Sequence, residues 1–158
     1  MRIRPLISGD REKLRQMIIG TSVFTDEEVD VALELIDIVL GDKKQKDYKI
    51  VCAVNEQDEP IGYICYGPIP MTEGAFDLYW IVTDPIVQGQ KIGTNLLDYL
   101  VEEVRQLKGR LILADTSSIP PYEKANRFYL KKGFQEVARI TDYYWEGNDR
   151  ITYCKRIT

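Results

Sequence analysis

Residues 77–104 read DLYWIVTDPIVQGQKIGTNLLDYLVEEV. An apolar run, Leu78 to Val82, leads through Asp84-Pro85 into the turn Gln88-Gly89-Gln90-Lys91-Ile92-Gly93. Beyond the turn, Ile92, Leu96, Leu97, Leu100, Val104 and Leu107 recur at three- and four-residue steps, the period of a helix that buries one face. A strand feeding a helix through such a turn gathers free backbone N–H groups around one point. The positive end of the helix dipole adds to them, and the result suits a phosphate or pyrophosphate. The plainer reading of the same residues is a tight connection. Neither GxxxxGK(S/T) nor GxGxxG occurs, so a phosphorylated cofactor needs support from a second segment.

That segment is residues 122–134, YEKANRFYLKKGF. Together the two segments resemble the GNAT N-acetyltransferase superfamily. Its cofactor turn is usually Q/R-x-x-G-x-G/A after the fourth strand, and a later run reads A-x-x-F/L-Y-x-K-x-G-F. Gln88 and Gly93 match the ends of the turn. Ala125, Phe128, Tyr129, Lys131, Gly133 and Phe134 match the later run in order and spacing. Two residues depart from the pattern. Lys91 stands where the family has the middle glycine, and Tyr122 stands where it often has a cofactor-contacting asparagine.

The resemblance covers nearly the whole chain and implies a single acetyltransferase-like domain over residues 1–158, with acetyl-CoA as co-substrate. Carried over residue by residue, Gln88, Gly89, Gln90, Lys91, Ile92, Gly93 and Thr94 would cradle the pyrophosphate. The backbone of Ile81, Val82 and Thr83 would meet the pantetheine arm, although packing in a core explains the first two side chains equally well. Asn126 joins the cofactor set. Tyr129 matches the tyrosine that protonates the departing thiolate; the alternative for it is a helix tyrosine packed on the sheet.

Composition narrows the classes. The chain has 158 residues, 44% hydrophobic and 29% charged, which fits one globular domain with an ordinary core. Net charge is −4, so a broad nucleic-acid footprint is not expected. The sequence carries neither an apolar run of membrane-spanning length nor a signal-peptide core, and the expected location is the cytoplasm. Cys52, Cys65 and Cys154 are scattered and there is no histidine, so neither a disulfide framework nor a metal site is expected.

Reading outward, Ile3–Leu6 forms a first strand, and a helix runs from about Asp10 to Gly20. Thr25 and Glu28 have the spacing of a capping box, opening a helix that stops at Gly41. Tyr48–Val54 and Ile61–Tyr66 read as a hairpin, and Arg110–Ala114 as an interior strand. A helix follows Ser118–Pro121, and Phe134–Thr141 and Asp149–Lys155 close the chain as a second hairpin around residues 142–148. The order β-α-α-β-β-β-α-β-α-β-β predicts an α/β fold with a mixed sheet of about seven strands flanked by about four helices.

Acyl transfer to an amine needs a proton acceptor, an oxyanion donor and an acid for the thiolate. A backbone N–H near Ile81 or Val82 fits the second role. Without histidine the base is a carboxylate, acting directly or through water: Glu73, Asp77 or Asp142, with Glu28 more remote. The acceptor pocket is expected between the Thr21–Phe24 connection, residues 67–76 and the aromatics Tyr143, Tyr144 and Trp145. Aromatics beside carboxylates suit a small-molecule amine. They suit a homodimer contact equally. Two functions follow: a cytoplasmic N-acetyltransferase, or a non-catalytic CoA-sensing or interaction module on the same fold.

Overall fold

The computed structural model describes residues 1–87 and 89–158. In chain order the elements are β1 (Arg2–Pro5), α1 (Arg11–Gly20), α2 (Asp26–Gly41), β2 (Lys49–Val54), β3 (Pro60–Pro68) and β4 (Ala75–Thr83), followed by α3 (Ile92–Gln106), β5 (Leu111–Ser117), α4 (Glu123–Lys131), β6 (Gln135–Trp145) and β7 (Asn148–Arg156). A single 3-10 turn precedes α1, and another, Pro120–Tyr122, precedes α4. Seven strands make one sheet in the order β1-β2-β3-β4-β5-β7-β6. The β4–β5 pair is parallel, and the other neighbours are antiparallel.

Period-two alternation in the central strands supplies a core on each face. Val51, Ala53, Ile64 and Tyr66 join Leu96, Leu97, Leu100 and Val104 of α3 and Tyr129 of α4. Ile50, Cys52, Val54, Tyr63 and Cys65 join Leu14, Met17 and Ile18 of α1 and Ala32 and Ile36 of α2. Each fully buried aliphatic side chain of α3 contributes roughly 1.5–3 kcal/mol. The Thr25–Glu28 box opens α2 as expected: Glu28 N–H donates to Thr25 Oγ1 at 3.2 Å, and Thr25 N–H to Glu28 Oε1 at 3.0 Å.

Between β3 and β4 the register passes from Cys65↔Trp80 to Tyr66↔Leu78, leaving Tyr79 as an extra residue on β4. This bulge reverses which residues face which core. Phe76 and Leu78 lie on the α3 side, and so does Ile81, whereas Trp80 and Val82 lie on the α1–α2 side. Pairing of β4 with β5 runs only from Ala75↔Leu111 to Leu78↔Ala114. Beyond that point the strands part. Residues 80–83 keep β3 on one edge, and no strand pairs with their other edge among the described residues.

Two boundaries differ from the sequence reading. Strand β5 continues past Ala114 through Asp115, Thr116 and Ser117. Its polar end is stable because each side chain finds a partner: Thr152 Oγ1 donates to Asp115 at 2.6 Å, Thr116 to Asn126 at 2.6 Å, and Ser117 to Asn148. Strand β6 runs through most of the expected loop to Trp145, with an irregularity between Ile140 and Trp145. Asp142 holds it, with φ of 56°: its N–H donates to Asp149 Oδ1 at 3.0 Å, and its own Oδ1 accepts from Gly147 N–H at 2.8 Å.

Candidate active site

The turn between β4 and α3 is built around Asp84, which is 6% exposed. Its N–H donates to Ile61 O at 2.9 Å, its Oδ1 accepts from Ile86 N–H at 3.0 Å, and Lys13 of α1 lies 3.3 Å from its Oδ2. This anchors the start of the turn to β3 and α1. Past it, an open cleft of about 530 Å³ is lined by Thr83, Gly89, Lys91, Gly93 and Lys124, among others. Lys91 is the N-cap of α3, and no side chain caps this helix among the described residues. The N–H groups of Ile92, Gly93 and Thr94 are therefore available to an anion. Gln88 lies outside the described residues.

Two residues of the turn show what it is shaped for. Lys91 sits at φ 51° and ψ 39°, the left-handed region that glycine enters most readily. That conformation explains the glycine usually found in this motif position. At Gly93 an added Cβ would meet only Phe128 at 3.6 Å and Thr83 at 3.7 Å, ordinary contact distances. The protein's own packing therefore admits a Cβ there and does not by itself require glycine. Lys124, on the first turn of α4, was not singled out in the sequence; it lies in a solvated stretch and reaches the cleft only through the fold.

Tyr129 is 6% exposed and packs against Phe134 at 5.1 Å and Tyr153 at 5.7 Å between ring centroids. Burial raises its phenol well above the ordinary tyrosine range, so the proton stays on oxygen throughout the range in which enzymes work. Asn126, by contrast, is engaged by the fold: its Oδ1 accepts from Thr116, and its Nδ2 donates to Ser117 O at 3.1 Å. It ties α4 to the end of β5 and does not line the cleft.

The carboxylates separate by position. Glu73 is exposed before the start of β4, at the opposite end of that strand from the cofactor turn, and its carbonyl accepts from Arg110 Nε at 2.7 Å. Asp142 is spent on the β6–β7 connection. Asp77 is half-buried on β4, one residue before the last β4–β5 pair. Burial raises its pKa, the charge of Asp115 adds to the rise, and Tyr79 and Arg150 partly offset it. Asp115 itself accepts from Arg150 at 2.8 Å and from Thr152. Arg150 also lies 5.2 Å from the Tyr143 ring. Of the expected aromatics, Tyr143 thus stands beside the Arg150–Asp115 pair; Asp115 is the member that sequence reasoning missed, because its strand was read as ending at Ala114, three residues early.

A family model described as an acetyltransferase (GNAT) domain matches residues 46–136. The chain belongs to the GNAT acetyltransferase family. A solved GNAT-family protein from Desulfovibrio desulfuricans shares 39% identity over 99% of each chain, with a TM-score of 0.91. An aminoglycoside 6'-N-acetyltransferase solved with coenzyme A has a TM-score of 0.74 at 20% identity, covering 100% of this chain and 98% of its own. The aminoglycoside 6'-N-acetyltransferase of Enterococcus faecium has a TM-score of 0.72 at 19% identity, with the same coverage. At that identity the likeness is one of fold. No curated protein matches the sequence. The GNAT architecture accounts for the parted strands, the β4–α3 turn and the order of elements together.

Among the described residues no group of three or more His, Cys, Asp or Glu could hold a metal ion, and no helix is long and apolar enough to cross a membrane.

Proposed function

We propose that this GNAT protein is an acetyl-CoA-dependent N-acetyltransferase that acts on the primary amine of a small molecule by direct transfer. The observation that carries the reading is the parting of β4 and β5 after Leu78 and Ala114, with the anion turn at the far end of the same strand. The free edge of residues 79–83 can take the pantetheine arm as an added strand. The turn from Gly89 to Thr94, with Lys91 and Lys124, takes the pyrophosphate. Two structural relatives that act on aminoglycosides support an amine acceptor.

Each chemical demand has a residue. A backbone N–H of residues 79–83 faces the gap and stabilises the oxyanion. Tyr129 donates a proton to the departing thiolate; its buried phenol holds that proton at every working pH. Asp77, Asp115 and the surrounding tyrosines receive the cationic acceptor on the open side of the sheet.

Thiol release from acetyl-CoA with pooled amines tests the proposal. Turnover with a pool, traced to an acetylated amine, is the expected result. Saturable CoA binding with no turnover in any pool would assign the fold to CoA sensing instead.

A further inference from the structure

Tyr122, the residue that replaces the family's asparagine, donates its hydroxyl to Glu28 Oε2 across 94 residues of sequence. We infer that Tyr122 and Glu28 form a proton relay for the acceptor amine, Tyr122 touching the nitrogen and Glu28 receiving the proton behind it. This rests on the N-acetyltransferase reading above.

The position of the pair carries the inference. Phe24 packs edge-on against Trp80 at 4.9 Å and against Tyr122 at 6.2 Å. Trp80 belongs to the stretch of β4 beyond the bulge, and Tyr122 follows the end of β5. The Phe24–Tyr122–Glu28 contacts therefore bridge the two strands where they have parted. The groups that act electrostatically on the Tyr122 phenol are Glu28, Tyr144 and Tyr129, and none is a cation. Burial and the Glu28 hydrogen bond raise its pKa, so it does not serve as a free tyrosinate. It can accept a proton only while passing its own to Glu28.

Glu28 can take that proton without leaving its place. Its Oε1 accepts from Thr25 N–H and its Oε2 from Tyr122, and each oxygen keeps a second lone pair. The other carboxylates are worse placed. Glu73 is at the wrong end of β4, Asp142 closes a turn, and Asp115 is held by Arg150 and Thr152. Asp77 remains as the competitor.

In the transfer, the ammonium form of the acceptor first releases one proton to water; the neutral nitrogen then bonds to the acetyl carbon, and its second proton passes to the Tyr122 oxygen as the Tyr122 proton passes to Glu28. The carbon–sulfur bond breaks with its electron pair on sulfur, which takes the Tyr129 proton. Glu28 then loses its proton to water and Tyr129 regains one, so the products are the amide and CoA thiol.

Glu28→Gln keeps one oxygen for the Thr25 N–H and a side chain suited to the capping box, while its amide nitrogen can only donate to the Tyr122 oxygen and cannot receive its proton. Tyr122→Phe keeps the ring against Phe24. Both variants and their combination are to be assayed for kcat, acetyl-CoA KM, melting temperature and the melting shift produced by CoA. The relay predicts a kcat loss of about a hundredfold in each single variant, with no further loss in the double variant. The CoA shift should be unchanged, and the pH–rate profile of Glu28→Gln should follow the acceptor's ionisation alone. Wild-type kcat in Glu28→Gln, or a comparable loss in Asp77→Asn instead, would overturn the relay and leave the transferase reading standing. CoA binding without turnover of any amine by the wild-type protein would overturn both.

Discussion

Leu78 faces Ala114 as the last pair of the β4–β5 ladder, and the residue that follows, Tyr79, is the bulge. Below this pair the two strands are ordinary neighbours. Above it β4 keeps only β3, and its free edge opens toward the turn at Gly89–Thr94. A bulge adds local twist and bends its strand, which is the physical reason that the ladder ends here.

Lys91→Gly should make the protein more stable. A non-glycine residue in the left-handed region costs about 1–2 kcal/mol, of which a glycine returns about 0.4–1 through the looser unfolded chain. The net gain is about 1 kcal/mol, or roughly 2–4 °C in melting temperature for a chain of this size. Thermal denaturation without ligand reads it. The same variant should show a smaller CoA-induced shift, because the ammonium leaves the cleft; a lower melting temperature would contradict the strain at Lys91.

Asp77→Asn should stabilise the protein near neutral pH. The folded protein holds the Asp77 proton to a higher pH than the unfolded chain does. Stability therefore falls as pH rises from the ordinary carboxylate pKa through the folded value, and the charged form stays penalised above it. Melting curves of the two proteins should converge below that window and separate above it, the variant being the more stable. Equal separation at all pH values would mean that the charge of Asp77 is not the cause.

Much of this was legible in the sequence, for identifiable reasons. The helical period of Ile92, Leu96, Leu97, Leu100 and Val104 marks α3 and its buried face, and the Thr25–Glu28 spacing marks the start of α2. The turn before α3 is legible because consecutive residues, Gly89 to Gly93, build it. What was missed depends on pairing across distant segments. The bulge at Tyr79 is a mismatch of register with β3, invisible in DLYWIV alone. Asp115 looked like a strand end because its partners, Arg150 and Thr152, lie in another hairpin. Lys124 and the Tyr122–Glu28 contact likewise exist only once α4 is docked.

Tyr129→Phe deletes one hydroxyl and keeps the ring that packs on Phe134 and Tyr153. General acid catalysis contributes up to about 10⁴-fold, less for a leaving group as good as a thiolate. A kcat loss of about ten- to a thousandfold is expected, with acetyl-CoA KM nearly constant. Steady-state kinetics on the amine found in the pooled screen measures it. Unchanged kcat would make the hydroxyl structural and assign the proton to water.

The central claim is that acetyl-CoA seated on the β4–α3 turn delivers its acetyl group to an amine. The most direct measurement is the rate of acetylated-amine formation, followed by mass spectrometry, in the wild-type protein and in Gly93→Val. An added Cβ at Gly93 already meets Phe128 and Thr83 at ordinary contact distance, and the two methyl groups of valine beyond it crowd the turn. Amine-dependent product is expected with the wild-type protein, and loss of most of that rate in Gly93→Val. Product formed equally fast by Gly93→Val would contradict it.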